Sequence, residues 1–344
     1  MKAKPIASNG HAASSSDVAR RAGVSRSAVS RTFTDGASVS AETRAKVLQA
    51  AEELHYHVNF LARGLSKQES RPVCILVSNL HKPYHAQLLD HLTTALQIAQ
   101  RISIIINVGD DPAAASAALE QTLNYRAAAT IVLSGAPPAL MVRRCVELGQ
   151  RVILVNRADD LADVQHISID YETAMRSAVQ MFLRAGCHKI ALVSRAVRTP
   201  SLLAREDLFT RFLRAEGIEP QIWRGQSTTY QTGQQAMREL LVGLERPDGV
   251  FCINDLMACG CIDTARLEFG LRLPEDLCIL GFDDIAQADW AGYDLTTFAQ
   301  PYTEIAQFVV ASLSPSETMT ADRIILTARP IWRGTMRASA VPKP

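Results

Sequence analysis

The feature that most restricts this chain is a rhythm that starts after residue 72. Short unbroken apolar runs recur at 73–78 (VCILVS), 102–107 (ISIIIN), 130–133 (TIVL) and 152–156 (VILVN). Between them lie stretches at 87–99, 113–125 and 139–148 whose apolar residues follow helical spacing. A strand with one face on water alternates apolar and polar residues. A strand that is apolar throughout is covered on both faces, as in a parallel sheet packed by helices. The rhythm then begins again, with helices at 173–185, 204–215, 232–241 and 257–269 and strands at 189–194, 221–223, 249–254 and 277–281. A helix at 304–312 and a strand at 323–328 follow. Two successive α/β halves are therefore predicted. Neither G-x-G-x-x-G nor G-x-x-x-x-G-K-[ST] occurs, which argues against nucleotide-binding enzymes.

Composition adds bounds. With 344 residues, 47% apolar and 21% charged, the chain has the make-up of an ordinary soluble protein of two or three domains. It has no apolar run of the ~18 residues that a membrane span needs. The opening MKAKPIASNGHAASSS lacks the apolar core of a secretory signal and reads as a polar tail over 1–13. Most of the seven cysteines sit inside apolar runs, which suits buried free thiols in a reducing cytoplasm. Cys259-Gly260-Cys261 lacks zinc-site spacing and the eight histidines form no ligand pattern, so neither metal nor cofactor is expected.

The segment before the rhythm has another character. Ser14 is placed to cap a helix whose first turn carries Asp17, with Val18, Ala19 and Ala22 on one face. Gly23 stops that helix, and Ser25 caps a second short one over 26–33. Helices joined by so tight a turn cross steeply, as in a helix-turn-helix, whose second helix enters the DNA major groove. Val29 and Phe33 turn inward on it, leaving Arg26, Ser27, Ser30 and Arg31 facing out. Ser40 caps a third helix running to Leu54, with Val47, Leu48, Ala51 and Leu54 as its inner stripe. A small three-helix bundle with no DNA role would share this pattern, but charge separates the two readings. Residues 1–71 hold 11 Lys/Arg against 6 Asp/Glu, whereas the rest of the chain holds 25 against 29. Only the head carries the footprint of a polyanionic partner.

Three blocks, DVARRAGVSRSAVSR, VSAETRAKVLQAAEELHY and NFLARGL, together resemble the head of the lactose-repressor (LacI-type) family of bacterial transcription regulators, in order and spacing over about 50 residues. The resemblance implies that Arg26, Ser27 and Arg31 read bases, with Ala28 and Ser30 on the same contact helix. It also implies a hinge helix over 59–65, in which Asn59 and Arg63 meet DNA and Leu65 wedges into the minor groove. Ala28, Thr34 and Val58 depart from the Thr, Asn and Pro usual in the family. The domains implied are a DNA-binding head at 14–58, a hinge and linker at 59–71, and an effector-binding and dimerisation domain at 72–337, followed by a tail at 338–344. That domain resembles a type I periplasmic-binding-protein fold of two Rossmann-like lobes, about 72–170 with 298–320 and 171–297 with 321–337.

Ligands of such lobes bind beyond the carboxyl ends of the strands, where Asn156-Arg157, Asp170, Asn254-Asp255 and Asp283-Asp284 stand. By resemblance, Arg205, Asn254 and Asp283 face the effector, and Tyr84 and Tyr302 line the cleft. Asp255 and Asp284 are expected to cap the helices that follow them. Carboxylate, amide and guanidinium together suit a polyhydroxylated ligand. Leu208, Ala127-Ala128-Ala129, Thr228 and Lys82 depart from family habit, which implies altered pocket chemistry. The whole implies a cytoplasmic, nucleoid-associated homodimeric regulator, a repressor of a carbohydrate-related operon. Its partners would be a palindromic double-stranded operator and a sugar or sugar derivative. The rival reading is a sugar-metabolising α/β enzyme or a solute-binding protein with an appended head. No G-x-S-x-G and no histidine placed beside the strand-end carboxylates support the enzyme.

Overall fold

A computed structural model describes residues 13–34, 36–57, 72–108, 112–133, 139–157, 161, 164–196, 199–313 and 323–338. The chain divides into two compact units, 1–71 and 72–344.

Among its described residues the first unit holds three helices, α1 (Ser15–Ala22), α2 (Arg26–Thr32) and α3 (Ala41–Glu53). The sequence sets each start. Ser14 Oγ accepts from the Asp17 N–H while the Asp17 carboxylate accepts from the Ser14 N–H at 3.0 Å, a reciprocal capping box. Ser25 and Ser40 accept from the Ala28 and Thr43 N–H groups, both at 3.2 Å. Gly23 ends α1 at φ +67°, a conformation that glycine takes without a Cβ penalty. Val18, Ala19, Val29, Val47, Ala50 and Ala51 form the core, edged by Phe33 and Tyr56 with ring centroids 5.7 Å apart. Arg44 Nη1 donates to the Thr32 carbonyl at 2.8 Å, fastening α3 to the end of α2. Leu48, predicted to face inward, is 47% exposed, and Ala50 takes its place. Small residues at 50 and 51 let α3 approach the other two helices closely, which rotates the stripe away from 48.

In the second unit, β1 (Val73–Val77), β2 (Ser103–Asn107), β3 (Ala129–Leu133), β4 (Val152–Val155) and β5 (Gln165–Ile169) join β11 (Arg323–Leu326) in one sheet, ordered β11-β5-β4-β3-β1-β2. Every pairing in it is parallel. The unbroken apolar runs now have their reason. In β1, Val73, Ile75 and Val77 enter one core cluster, while Cys74 and Leu76 enter another on the opposite face. The second lobe's sheet is β6 (Ile190–Arg195), β7 (Gln221–Gly225), β8 (Gly249–Cys252) and β9 (Cys278–Leu280), all parallel in the order β7-β6-β8-β9. Helices α4 (Pro83–Ile98), α5 (Pro112–Asn124) and α6 (Ala139–Glu147) connect strands of the first lobe, and α7 (Tyr171–Arg184) leads into the second. Helices α8 (Pro200–Ala215), α9 (Tyr230–Val242) and α10 (Asp255–Asp263) belong to the second lobe. The chain returns through β10 (Thr297–Ala299), α11 (Tyr302–Ser312), β11 and β12 (Arg329–Ile331), with β12 antiparallel to β10.

Two differences from the sequence reading stand out. β5, QHISI, was not predicted, because its half-polar composition hides a strand that is buried at only some positions. The strand at 323–326 was assigned with the second lobe but pairs with β5 in the first, Arg323 beside His166 through Leu326 beside Ile169. Among the described residues, no helix is long and apolar enough to cross a membrane.

Candidate functional site

The head presents α2. Arg26, Ser27, Ser30 and Arg31 are exposed on it, as the apolar spacing requires. Ser27 Oγ lies 2.8 Å from the capping Ser25 Oγ, and Arg31 Nε donates to the Ser27 carbonyl at 3.4 Å. Both arginines sit on one short helix, Arg26 at its positive N-terminal end. Ala28 does not belong to this face. It is only 8% exposed, and its carbonyl accepts from Thr32 Oγ1 at 2.9 Å. In a helix of seven residues that buries Ala28, Val29 and Thr32, position 28 lies on the packed side. Asn59, Arg63 and Leu65, and the hinge helix as a whole, fall outside the described residues.

The second unit holds a cleft that both lobes line. Tyr84, Arg205, Asn254 and Asp283 all border it. Arg205, on α8, is 5% exposed, and Asp283, beyond β9, is 6% exposed. Arg205 Nη1 stands 3.8 Å from Asp283 Oδ1, donates to the Ile253 carbonyl at 2.8 Å, and places its guanidinium 4.2 Å from the Phe282 ring centre. The neighbouring Glu206 has partners of its own. It accepts from Ser194 Oγ at 2.6 Å and from Arg224 Nη2 at 2.6 Å.

A chain of hydrogen bonds joins the two lobes here. Gln300 Nε2 donates to Asp283 Oδ1 at 2.7 Å, and Gln300 Oε1 accepts from Asn156 Nδ2 at 3.3 Å. Asn156 Nδ2 also donates to the Tyr84 hydroxyl at 2.7 Å. Asn156 and Asp283 have φ values of +56° and +126°, backbone conformations that cost energy in residues with a Cβ and cluster at binding sites. Asn156 was a strand-end candidate, but Gln300 was passed over for its neighbour Tyr302. Tyr302 does not line the cleft. It is buried, and its hydroxyl donates to the Asp283 carbonyl at 2.7 Å, so it holds the Asp283 backbone in place.

Asn254 lines the cleft and also caps α10, its Oδ1 accepting from the Met257 N–H at 3.1 Å. Asp255, expected as a cap, is instead fully buried, accepting from Thr297 Oγ1 at 2.5 Å and from the Ile285 N–H at 3.0 Å. Asp284 is not a cap either, since Arg333 Nη1 pairs with it at 2.9 Å. Among the described residues no group of His, Cys, Asp and Glu is placed to hold a metal.

Burial sets the site's titration. It pushes the Asp255 carboxyl up to about 7, helped by the nearby Asp283 charge. Burial likewise pushes Asp283 up to about 6, against the pull of Arg205 and the Gln300 hydrogen bond. Both folded values lie above the ordinary 3.8. Between these values the folded state binds more protons than the unfolded chain. The contribution of these two groups to stability is therefore greatest at low pH and falls as pH rises from about 4 to about 7. Each group contributes at most about 1.4 kcal/mol per pH unit in that window. Asp255→Asn, whose amide can donate to Thr297 Oγ1, is expected to flatten the profile. Melting temperatures of wild type and variant from pH 4.5 to 8 check this, and parallel profiles would remove Asp255 as the cause.

Comparison with known proteins agrees with this arrangement. Residues 16–59 match the family described as bacterial regulatory proteins, lacI family, and residues 179–336 match the periplasmic binding protein-like domain. The HTH-type transcriptional regulator GalS of Salmonella typhimurium is 30% identical over 293 residues, 85% of this chain and 86% of GalS. Among solved structures, the lac repressor dimer bound to operator and the anti-inducer ONPF superposes with a TM-score of 0.86 at 23% identity, covering 96% of this chain and all of that one. A LacI family transcriptional regulator from Enterococcus faecium with bound ribose gives 0.69 at 22% identity, covering 77% and 98%. The helix-turn-helix head, the two parallel-sheet lobes and the relationship to GalS lead to one assignment: the chain belongs to the lacI family of bacterial regulatory proteins, which are DNA-binding transcription regulators and not enzymes.

Proposed function

We propose that the protein is a repressor of a carbohydrate-related catabolic operon, acting in the bacterial cytoplasm on nucleoid DNA. In this reading Arg26, Ser27, Ser30 and Arg31 meet the operator. A hinge comprising Asn59, Arg63 and Leu65 completes the contact, and a sugar-class effector occupies the cleft beside Tyr84, Arg205, Asn254 and Asp283. The observation that carries the reading is the Asn156–Gln300–Asp283 chain of hydrogen bonds. It ties residues of the two lobes through polar groups that a sugar's hydroxyls can also engage. A ligand competing for those groups has different affinity for different lobe angles, which is the requirement for an effector to shift a conformational equilibrium. The lac repressor dimer and the ribose-bound regulator are precedents in the same fold.

One head covers too little DNA for high specificity, so the functional unit is a homodimer on a palindromic site. Leu65→Ala is expected to remove the central kink and much of the affinity. Footprinting together with sedimentation at micromolar concentration checks this. A monomer protecting a site without two-fold symmetry would end the dimer reading. The test of the whole is operator release across a panel of sugars, sugar acids and sugar phosphates. The same panel is assayed for chemical turnover, and turnover without release would favour an enzyme.

A further inference from the structure

We propose that Cys187 and Cys278 form a modification site, a thiol pair that a hydroperoxide oxidises to a disulfide within the second lobe. The site stands apart from the cleft and does not rest on the effector reading.

The first ground is placement. Ile190 of β6 pairs with Gly249 of β8, and Gly249 pairs with Cys278 of β9. Cys187 stands just before β6, so one strand separates it from Cys278. That strand carries glycine at the crossing point. A Cβ on Gly249 would come within 3.2 Å of the Cys187 Cβ and 2.8 Å of the Phe182 ring. The missing side chain lets Cys187 lie over β8 and donate its thiol hydrogen to the Cys278 sulfur. Cys187 Sγ also lies 3.4 Å from the Asp248 carbonyl, and Cys278 Sγ 3.8 Å from the Pro274 carbonyl. The pair sits at the amino ends of β6 and β9, whose carboxyl ends lead to Arg195 and Asp283, so oxidation leaves the cleft's own groups untouched.

The second ground is a cation aimed at the sulfurs. Arg337 Nη2 lies 3.4 Å from Cys187 Sγ, and the Arg337 N–H donates to the Cys278 sulfur. The guanidinium is held in place by carbonyls. Nε donates to Ala185 at 2.8 Å, and Nη1 donates to Glu275 at 3.1 Å and to Pro274. Asp248, the carboxylate that opposes a thiolate here, is taken up by the His188 and Lys189 N–H groups, each at 2.9 Å. The Cys187 hydrogen bond, working against burial, and then the Arg337 N–H and charge hold the Cys278 thiol below its ordinary range. Cys278 is therefore the attacking thiolate, and Cys187 keeps its proton until the second step.

The third ground is contrast with the other cysteines. Cys252 Sγ lies 3.6 Å from Cys261 Sγ, but burial pushes the Cys252 thiol up, and its charged and thiol neighbours, Asp255, Cys259 and Cys261, push the same way. Burial pushes Cys74 up to about 11. A thiol attacks only as its thiolate, so proximity alone does not make the Cys252 pair reactive. Cys187 and Cys278 are buried too, but one side chain below the surface. His188, Lys189, Glu275 and Asp276 beside them are exposed, and Arg337 over them is half-buried. A molecule the size of hydrogen peroxide reaches the sulfurs when Arg337 swings aside, a local opening rather than an unfolding. The Cys278 thiolate attacks the terminal peroxide oxygen, an S–O bond forms, the O–O bond breaks, and hydroxide leaves to take a proton from water. Cys187 then attacks the sulfenic sulfur. The S–S bond forms, the S–O bond breaks, and the thiol proton leaves with the hydroxyl as water. The two sulfurs are oxidised by two electrons and one peroxide is reduced.

The test uses the full folded chain, hydrogen peroxide in small excess, alkylation and peptide mass spectrometry. The protein is expected to lose two of its seven thiols and to yield one linked peptide pair, Cys187 with Cys278, which dithiothreitol reopens. Cys187→Ser keeps a hydroxyl donor, so Cys278 should stop at the sulfenic acid, trapped by dimedone with no link. Cys278→Ser should leave Cys187 reduced. Arg337→Gln should slow the reaction about threefold or more, because each unit of thiol pKa costs tenfold in thiolate and returns about threefold in nucleophilicity. A first link between Cys252 and Cys261, seven intact thiols after treatment, or unchanged thiol loss in Cys278→Ser would each overturn the proposal. So would a Cys187–Cys278 link that forms only in urea, since the native arrangement would then play no part.

Discussion

Asp283→Asn is expected to leave the protein folded and bound to its operator while removing its response to effector. The side chain stands at the centre of the cleft's polar chain, accepting from Gln300 at 2.7 Å with Arg205 at 3.8 Å. Asparagine keeps the shape, and its one remaining carbonyl oxygen can still accept from Gln300. It loses the charge and turns the second acceptor into a donor. Arg205 keeps its bond to the Ile253 carbonyl and its seat over Phe282, so the buried guanidinium is not abandoned. Burial already weakens the native charge, holding Asp283 up near 6, which limits what folding loses when that charge is removed. Effector binding loses charge-assisted hydrogen bonds worth about 1.5–3 kcal/mol each, roughly a ten- to hundredfold drop in affinity. Coupling falls with it, because an effector cannot shift an equilibrium by more than its differential affinity. Operator titrations of wild type and variant with and without effector, beside melting curves, read out both halves. A normal response in a folded variant would reduce Asp283 to a structural tie.

How much of this was legible depended on whether a residue's role is local. Ser14, Ser25, Ser40 and Gly23 were readable because caps and turns are decided within a few residues of chain. The parallel sheets were readable because burial on both faces writes itself as an unbroken apolar run. β5 was not, since QHISI is neither unbroken nor cleanly alternating. The strand at 323–326 was visible as a strand, but its lobe is fixed by pairing with β5, about 160 residues back, which no local pattern records. Asp255 shows the same limit. A carboxylate after a strand and before a helix reads as a cap, yet Asn254 takes that task and Asp255 ties β10 and the Ile285 loop. Gln300 makes the cleft contact expected of Tyr302, because both approach Asp283, one at its side chain and the other at its backbone carbonyl. Sequence gives the segment that arrives at a site but not which atom within it makes the contact.

Arg31→Ala is expected to cost about 1–3 kcal/mol on the cognate operator and little on unrelated DNA. Arg31 is exposed in the last turn of α2, its Nε lying along the helix toward the Ser27 carbonyl at 3.4 Å. It contributes nothing to the core of Val18, Val29 and Val47, so its loss should not unfold the head. Arg44 is the opposite case. Its guanidinium holds the Thr32 carbonyl at 2.8 Å, and Arg44→Ala should lower the melting temperature of the head before it changes any base preference. Arg20 is a third case, exposed on α1 and paired with Asp17 at 3.4 Å. A cation there can meet only the phosphate backbone if α2 is the helix in the groove, so Arg20→Ala should weaken all sequences about equally and lower the salt slope by up to about one. Titrations of the three variants on cognate and scrambled sites at two salt concentrations separate base reading, folding and phosphate contact. Equal losses for Arg31→Ala on both sites would place α2 on the backbone rather than the bases, and the helix that reads sequence would have to be sought elsewhere in the chain.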